Sequence, residues 1–300
     1  MDNNNILVIK YLEYLRNNKR YSINTINGYG KDIRDFIIYI GNNDIRYISD
    51  DIYRSYLKYL YDTYSNKNTI SRKISSIRAL YNYLVLKGFT KKNFFKEVKG
   101  PKKKRDLPNF LTTNEVELLI NSSKDNIYGD RDNLILELLY STGVRVSELI
   151  NIQIYDINID NKTIKILGKG NKERVVLYGK YAEEALYRYL EGSYKELNKK
   201  HSSYLLLNKN GDRLSDRYIR KIINKVCLKE GIDKKVSPHT FRHTFATDML
   251  NNGADLISVK DLLGHNSINT TSIYTHITDE HIKSVYKQAF PRAEGGDNNE

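Results

Sequence analysis

The sequence predicts a mainly α-helical protein with a small antiparallel β-sheet, built as two domains. Apolar residues recur at three- and four-residue steps through much of the chain, which is typical of amphipathic helices. Two short segments, 163–167 and 174–178, instead alternate apolar and polar residues, as strands do. A chain of 300 residues is also long enough for two domains that each bury their own core.

The first domain is expected over residues 1–92 as a four-helix bundle. Its helices are predicted at 4–17, 22–40, 49–64 and 67–87. The fourth has the clearest apolar stripe, made of Ile70, Ile74, Ile77, Leu80, Tyr81, Leu84 and Val85, and Gly88 ends it. The basic residues of this helix fall on its other faces, namely Arg72, Lys73, Arg78 and Lys87. They form either a solvated surface or a surface that contacts DNA.

A basic linker is expected over residues 93–108. Residues 96–105 contain six basic residues and one acid, and Gly100 followed by Pro101 interrupts any helix there. Such a run is either a solvated connection or a strap that lies along nucleic-acid phosphates.

The second domain is expected over residues 109–293, followed by a disordered tail at 294–300. Thr112 with Glu115 forms a capping box that begins its first helix. Periodic segments predict helices at about 112–123, 130–142, 180–198, 215–230, 240–252 and 255–262. The two alternating segments are joined by glycine and polar residues, which is typical of a hairpin turn.

The composition favours a polyanionic partner. Lysine and arginine number 49 against 36 acidic residues, for a formal charge of +13, and such an excess attracts nucleic acid, although a generally basic cytosolic protein shares it. Cys227 is the only cysteine, so no disulfide framework is predicted. No apolar run approaches the roughly 18 residues of a membrane helix, and the first residues lack the pattern of a secretion signal. The expected location is the cytoplasm, without membrane contact.

Two arginines lie in segments suited to phosphodiester chemistry. Attack on a phosphodiester builds negative charge on the non-bridging oxygens, and guanidinium groups bind that charge through paired hydrogen bonds. The candidates are Arg145, within SerThrGlyValArgValSerGluLeu, and Arg242, within ProHisThrPheArgHis. Glu148 either orients Arg145 or is a first-turn helix charge, and the first interpretation is favoured. His239 shares a helix face with Arg242 and can carry protons near neutral pH.

Lys169 lies at the tip of the predicted hairpin, between Gly168 and Gly170. A flexible amine at this position can reach a neighbouring cleft, although an exposed hairpin lysine is the simpler interpretation. GlyLysGly is too short for a phosphate-binding P-loop, so no nucleotide site is predicted.

Tyr274 follows His265 by nine residues, after a helix that ends at Gly264. The chain has 25 tyrosines, so the context of Tyr274 matters rather than its type. A tyrosine phenolate can hold a phosphate as a covalent ester until another hydroxyl attacks. Residues 257–274 also have the pattern of a helix-turn-helix, which by itself indicates a transcription regulator.

A zinc site is the alternative for the histidines of the 238–247 segment. His239 and His243 have the spacing of a zinc-binding helix, but such a helix needs a glutamate beside the first histidine, where this chain has Thr240. No metal site is therefore predicted, and His243 is expected to be packed or capped within its helix.

These motifs, in this order and at these spacings, resemble those of the tyrosine recombinase (phage integrase) family, most closely its Xer branch. The resemblance extends from about residue 5 to residue 293. Phe241 and Asp248 stand where leucine and histidine are common in the family, but neither is a catalytic position. With Tyr274 as nucleophile and Lys169 as general acid, the catalytic residues that the resemblance implies are Arg145, Lys169, His239, Arg242, His265 and Tyr274.

The resemblance implies a two-domain clamp around duplex DNA, with a helical core-binding domain and a mixed catalytic domain. The implied activity is site-specific recombination without a cofactor, through a 3′-phosphotyrosyl intermediate and a Holliday junction, by a homo- or heterotetramer. The implied role is resolution of chromosome dimers at cell division, with a second Xer-type recombinase and a septal DNA translocase as partners. A mobile-element integrase shares this chemistry, and a topoisomerase is a third option. The segment 285–293 docks either on a neighbouring subunit or on its own domain.

Overall fold

The computed structural model describes residues 3–101, 110–123, 128–168, 173–264 and 275–294, with side chains from 280 onward in the last range. The chain forms two compact units, Met1–Arg105 and Asp106–Glu300. Within the described ranges, no helix combines the length and the apolar character needed to cross a bilayer.

The first unit is a helical bundle around an apolar core. Its helices are α1 (Asn3–Asn17), α2 (Ile23–Ile40), α3 (Asp50–Thr63) and α4 (Lys67–Leu86). The N-termini of α2, α3 and α4 are each capped by a side chain that accepts a backbone N–H, namely Ser22, Ser49 and Asn66. The predicted stripe of α4 is buried except for Val85, and it packs chiefly against α2. Periodicity therefore placed these four helices correctly.

The basic residues of α4 do not form one free surface, contrary to the expectation from the sequence. Lys73 is buried, and its Nζ lies 2.5 Å from Asp35 Oδ2 and 3.6 Å from Asp32 Oδ1. Arg78 donates to two carbonyl oxygens of the 95–98 turn, at 2.8 and 2.5 Å. These two cations hold the bundle together, because each compensates acceptors that the fold removes from water.

The second unit is built around α6 (Gly129–Thr142), which is buried on almost every face. Helices α5, α8 and α11 all contact it. The other helices of this unit are α5 (Thr113–Ser122), α7 (Val146–Leu149), α8 (Lys180–Glu191), α9 (Ser193–Leu197), α10 (Asp216–Lys229), α11 (Pro238–Asn251), α12 (Leu256–Leu263) and α13 (Thr275–Ala289). The single helix predicted at 180–198 is wrong, since the chain leaves the helical conformation at Gly192, where ψ is −113°.

A small antiparallel sheet completes the second unit. It has the strand order β1 (Ile157–Asn158), β2 (Thr163–Leu167), β3 (Glu173–Leu177). In the β2–β3 register Ile166 faces Arg174, and the alternation puts Arg174 on the same inward side as the buried Val176. The predicted class, mainly helical with a small antiparallel sheet, is confirmed. The two-residue strand β1 was too short for its alternation to be recognised.

The C-terminal segment packs on its own unit. Tyr286 and Phe290 are buried and stacked, with ring centroids 5.0 Å apart. The Tyr286 hydroxyl donates to the Ser141 carbonyl at 2.9 Å, and the Lys180 N–H donates to the Ala293 carbonyl at 3.1 Å. Of the two arrangements that the sequence left open, the single chain therefore shows docking on its own domain.

We expect Lys73→Met to lower the free energy of unfolding by about 3 kcal/mol, because Asp32 and Asp35 lose a buried cation. Lys87→Met is the matched control, since Lys87 is exposed at the end of the same helix, and its effect should stay within about 0.5 kcal/mol. Urea unfolding followed by circular dichroism measures both, and suits a chain without tryptophan. Equal effects of the two substitutions would contradict the internal role of Lys73.

Candidate active site

Gly143 allows the end of α6 to approach two other helices closely. Its φ is +58°, a conformation that residues with a Cβ rarely adopt. A Cβ at this position would lie 2.7 Å from Phe245 Cδ1 and 2.8 Å from Leu263 Cδ2. The glycine thus brings the chain just before Arg145 against α11 and α12.

Arg145 lies at the N-terminus of α7 and is held there by Glu148. The Arg145 backbone N–H and its Nη1 donate to the two carboxylate oxygens of Glu148, at 2.8 and 2.9 Å. The Arg145 side chain keeps 38% of its surface exposed. The structure therefore favours an orienting role for Glu148, with the guanidinium of Arg145 accessible from solvent.

A second arginine contacts Glu148 from the sheet. Arg174 Nη1 and Nη2 donate to the two carboxylate oxygens of Glu148 at 3.0 and 2.9 Å, in a two-point pair. Burial of Glu148, of which only 5% is exposed, by itself raises its pKa. The hydrogen bonds from Arg174 and Arg145 outweigh burial and lower the pKa of Glu148 to about 2. The carboxylate is therefore ionised at any physiological pH.

Arg242 is buried next to the same cluster. Its Nη1 donates to the Gly143 carbonyl at 2.5 Å and its Nη2 to the Leu263 carbonyl at 2.7 Å. Burial and the positive charge of Arg145 lower the pKa of Arg242 to about 10, although Glu148 opposes this shift. The guanidinium remains charged at neutral pH. The structure therefore brings Arg145 and Arg242 together from distant parts of the chain, as the sequence predicted.

His239 lies in the first turn of α11, three residues before Arg242. Pro238 begins this helix, and Ser237 caps it by accepting the Thr240 N–H. His239 is exposed, and within the described residues it has no hydrogen-bond partner. His243 is also exposed, so the expectation that it is packed or capped was wrong. Among the described residues, no group of three or more His, Cys, Asp or Glu side chains is placed to hold a metal ion.

Three of the predicted catalytic residues, Lys169, His265 and Tyr274, lie outside the described residues. The structure describes the chain before and after each of these three residues. Leu167 ends β2 and Glu173 begins β3, while α12 ends at its capping residue Gly264, directly before His265.

The sequence did not indicate Arg174 as a functional candidate, although it follows Lys169 by five residues. Only 16% of its side chain is exposed. The available signal was an arginine in strand alternation with Val176, which places a charge on the inward face of the sheet.

Comparison with known proteins identifies the family. Residues 109–281 match the model of the phage integrase family, and residues 8–88 match the N-terminal SAM-like domain of phage integrases. The tyrosine recombinase XerC of Anoxybacillus flavithermus is 40% identical over 300 residues, which cover 98% of this chain and 100% of the relative.

The chain belongs to the phage integrase family of tyrosine recombinases. It is thus an enzyme of site-specific DNA strand exchange, and the resemblance drawn from the four motifs is confirmed.

Solved structures of other tyrosine recombinases share the fold. The recombinase XerH, crystallised with its palindromic difH substrate after cleavage, is 25% identical with a TM-score of 0.69. The match covers 93% of this chain and 83% of that one. A lambda integrase tetramer bound to a Holliday junction has a TM-score of 0.71 at 15% identity, covering 89% of this chain and 80% of that one. The second likeness concerns the fold alone.

We expect the stabilising effect of the Glu148 carboxylate to disappear as the pH falls. Its pKa is about 2 in the folded protein, against about 4.3 in an unfolded chain, so ionisation stabilises the fold by on the order of 3 kcal/mol at neutral pH. This contribution is complete above about pH 5 and decreases towards pH 2. Urea unfolding measures the free energy of unfolding of the natural chain and of Glu148→Gln. The difference between these two free energies should decrease from pH 7 to pH 3. A difference independent of pH would contradict the assignment.

Proposed function

We propose that this enzyme cleaves duplex DNA one strand at a time, with Tyr274 as the nucleophile. The phenolate oxygen of Tyr274 forms a bond to phosphorus, and the bond from phosphorus to the 5′ oxygen breaks. Lys169 supplies the proton to the leaving 5′ oxygen, and His239 takes the proton that the tyrosine loses. The 3′ end stays esterified to the protein until a 5′ hydroxyl from another strand attacks and restores the diester.

The convergence of Arg145 and Arg242 is the observation that supports this proposal most directly. Carbonyl oxygens of Gly143 and Leu263 hold the Arg242 guanidinium, and Glu148 holds that of Arg145. Burial and, after it, the positive charge of Arg145 lower the pKa of Arg242. A phosphate between the two relieves their mutual repulsion, and its charge increases as the pentavalent transition state forms. The preformed pair therefore suits a phosphodiester in attack.

The remaining catalytic roles follow from the family relation and from the position of each residue in the chain. We propose that His265 donates a hydrogen bond to the scissile phosphate. The Leu263 carbonyl accepts from Arg242, and His265 comes two residues later in the chain, directly after the capping Gly264. The chemistry is a transesterification that exchanges one phosphate ester for another, so it requires neither a nucleotide nor an added reductant or oxidant.

We further propose that four protomers act together on two duplexes and pass strands through a Holliday junction. The formal charge of +13 supports duplex DNA as the partner. The similarity to XerH bound to a palindromic substrate supports pairs of protomers on each duplex. The 40% identity to XerC over the whole chain supports resolution of chromosome dimers in the cytoplasm, together with a second Xer-type recombinase and a septal DNA translocase.

The nucleophile is tested with a nicked suicide substrate, from which the cleaved strand diffuses away and leaves the covalent adduct. We expect the natural chain to form this adduct and Tyr274→Phe to form none, because the phenol oxygen is the attacking atom. Tyr155→Phe is the matched control, since Tyr155 is an exposed tyrosine of the same unit, and it should form the adduct at the natural rate. An adduct with Tyr274→Phe, mapped to another residue by mass spectrometry, would contradict the assignment.

The phosphate clamp is tested by the rate of adduct formation at saturating DNA. We expect Arg145→Ala and Arg242→Lys each to lower this rate by about 1,000-fold, because one donor pair to the transition state is lost. Binding of intact duplex should weaken far less, since most contacts to DNA phosphates lie elsewhere. Arg220→Ala is the control, because Arg220 is exposed and paired with Asp216. Cleavage by Arg145→Ala at the rate of the control would rule out the clamp.

A further inference from the structure

Arg174 connects three segments of the active-site region. It is the second residue of β3 and follows Lys169 by five residues in the chain. Its guanidinium contacts Glu148 on α7, and its side chain also lies against Gly264 at the end of α12. Each of these segments adjoins, in the chain, one residue of the proposed catalytic set.

The contact with Glu148 links Arg174 to Arg145. Both oxygens of the Glu148 carboxylate are shared, because each accepts one N–H from Arg145 and one from Arg174. A carboxylate held at two points by a planar guanidinium cannot rotate without breaking both bonds. Arg174 therefore restricts the direction in which Glu148 presents its oxygens to Arg145.

The contact with Gly264 links Arg174 to the end of α12. Gly264 has a φ of +66°, and a Cβ there would lie 2.6 Å from both Cδ and Nε of Arg174. Nε is buried and has no hydrogen-bond partner among the described residues. The backbone at Gly264 and the Arg174 side chain thus occupy adjoining space that a larger residue at 264 would disrupt.

We infer that Arg174 is a positioning residue of strand cleavage, which directs the Arg145 guanidinium through Glu148 and supports the end of α12 that leads into His265. This inference rests on the proposed function. Arg174 acts through other residues, because both of its terminal nitrogens donate to Glu148 and only 16% of its side chain is exposed. Its removal is therefore expected to misplace Arg145 without removing a donor to the phosphate.

A purely structural role is the competing explanation, and the chain contains a matched example of one. Arg292 is 12% exposed and pairs with Glu137, which is 4% exposed, whereas Arg174 is 16% exposed and pairs with Glu148, which is 5% exposed. Arg292 also lies over the ring of Tyr181 at 3.9 Å. Loss of either arginine removes one cation from a buried glutamate, so both losses should lower stability.

The two substitutions should differ in how the remaining buried carboxyl affects the rate of cleavage. Burial raises the pKa of Glu148, and the hydrogen bonds from Arg174 are the largest opposing influence. Without Arg174 the carboxyl takes up a proton at a higher pH and then no longer holds Arg145 as an acceptor. The rate of cleavage relative to the natural chain should therefore fall as the pH is lowered.

The charges that face Glu148 come from several elements. Arg145 lies on its own helix, Arg174 on β3 and Arg242 on α11. A cavity of about 440 Å³ is lined in part by Glu148, and Asp156 and the Lys165–Glu173 pair lie on its other walls. Helix α10, which also contacts α7, turns its apolar face inward, with Ile219, Ile222, Ile223 and Val226 buried.

The experiment measures adduct formation on the nicked suicide substrate at saturating DNA, from about pH 8 to pH 5, for full-length variants. We expect Arg174→Met to be about 100-fold slower than the natural chain at pH 7, with a ratio that falls further towards pH 5. Arg174→Lys keeps the charge but not the two-point geometry, so its rate should be intermediate and its ratio nearly constant. Combining Glu148→Gln with Arg174→Met should remove the pH dependence of the ratio, because the titrating carboxyl is gone.

Arg292→Met is carried through the same series. Its free energy of unfolding should fall by about as much as that of Arg174→Met. The ratio of its cleavage rate to that of the natural chain should stay constant with pH. A ratio for Arg174→Met that does not change with pH overturns the inference, because the loss is then the structural one that Arg292→Met also shows. If Arg174→Met fails to fold, Arg174→Lys is used in its place. A variant Arg174→Lys that binds DNA and cleaves it at the natural rate overturns the inference. A variant that binds DNA but cleaves it more slowly supports the inference.

The failure of this inference is distinct from failure of the proposed function. Absence of the adduct from the natural chain refutes the proposed function itself. An adduct that forms with the natural chain and with Arg174→Met at equal rates at every pH refutes only the positioning role.

Discussion

The buried carboxylate of Glu148 is the interaction on which the active-site region depends. A buried negative charge is unfavourable unless cations and hydrogen-bond donors surround it. Arg145 and Arg174 both donate to this carboxylate, and the bonds from Arg174 connect α7 to β3. With Arg242 close by, three guanidinium groups surround one carboxylate. The positive charge in excess is what a region that binds a phosphodiester requires.

A few of the positive charges of this chain act inside the fold. Lys73 compensates Asp32 and Asp35 within the first unit, and Arg131 is fully buried against Asp132 in the second. Burying such groups costs desolvation, and removing one partner costs more than the pair contributes. The Lys73 pairs, which join α4 to α2, therefore determine which helices pack together more than they add to stability.

The end of α6 joins the clamp to the C-terminal helix. Ser141 accepts a hydrogen bond from Tyr286, and Gly143 accepts one from Arg242. Tyr286 belongs to α13, which follows Tyr274 in the chain. The polypeptide on the C-terminal side of the proposed nucleophile is thus anchored to the same helix that leads into Arg145. A packed anchor of this kind fixes one end of the segment that has to deliver the phenol oxygen.

The sequence by itself determined the helices of the first unit to within a residue at each end, because periodicity and capping side chains are properties of neighbouring residues. It also determined the hairpin, the family and the pairing of Arg145 with Glu148, which are three residues apart. Only the tertiary structure decided that Lys73 is an internal charge, that His243 is exposed and that Arg174 supports Glu148. The bonds of Arg174 to Glu148 and of Arg242 to Gly143 span 26 and 99 residues. Contacts of that separation depend on how helices and sheet pack, and no local pattern records them.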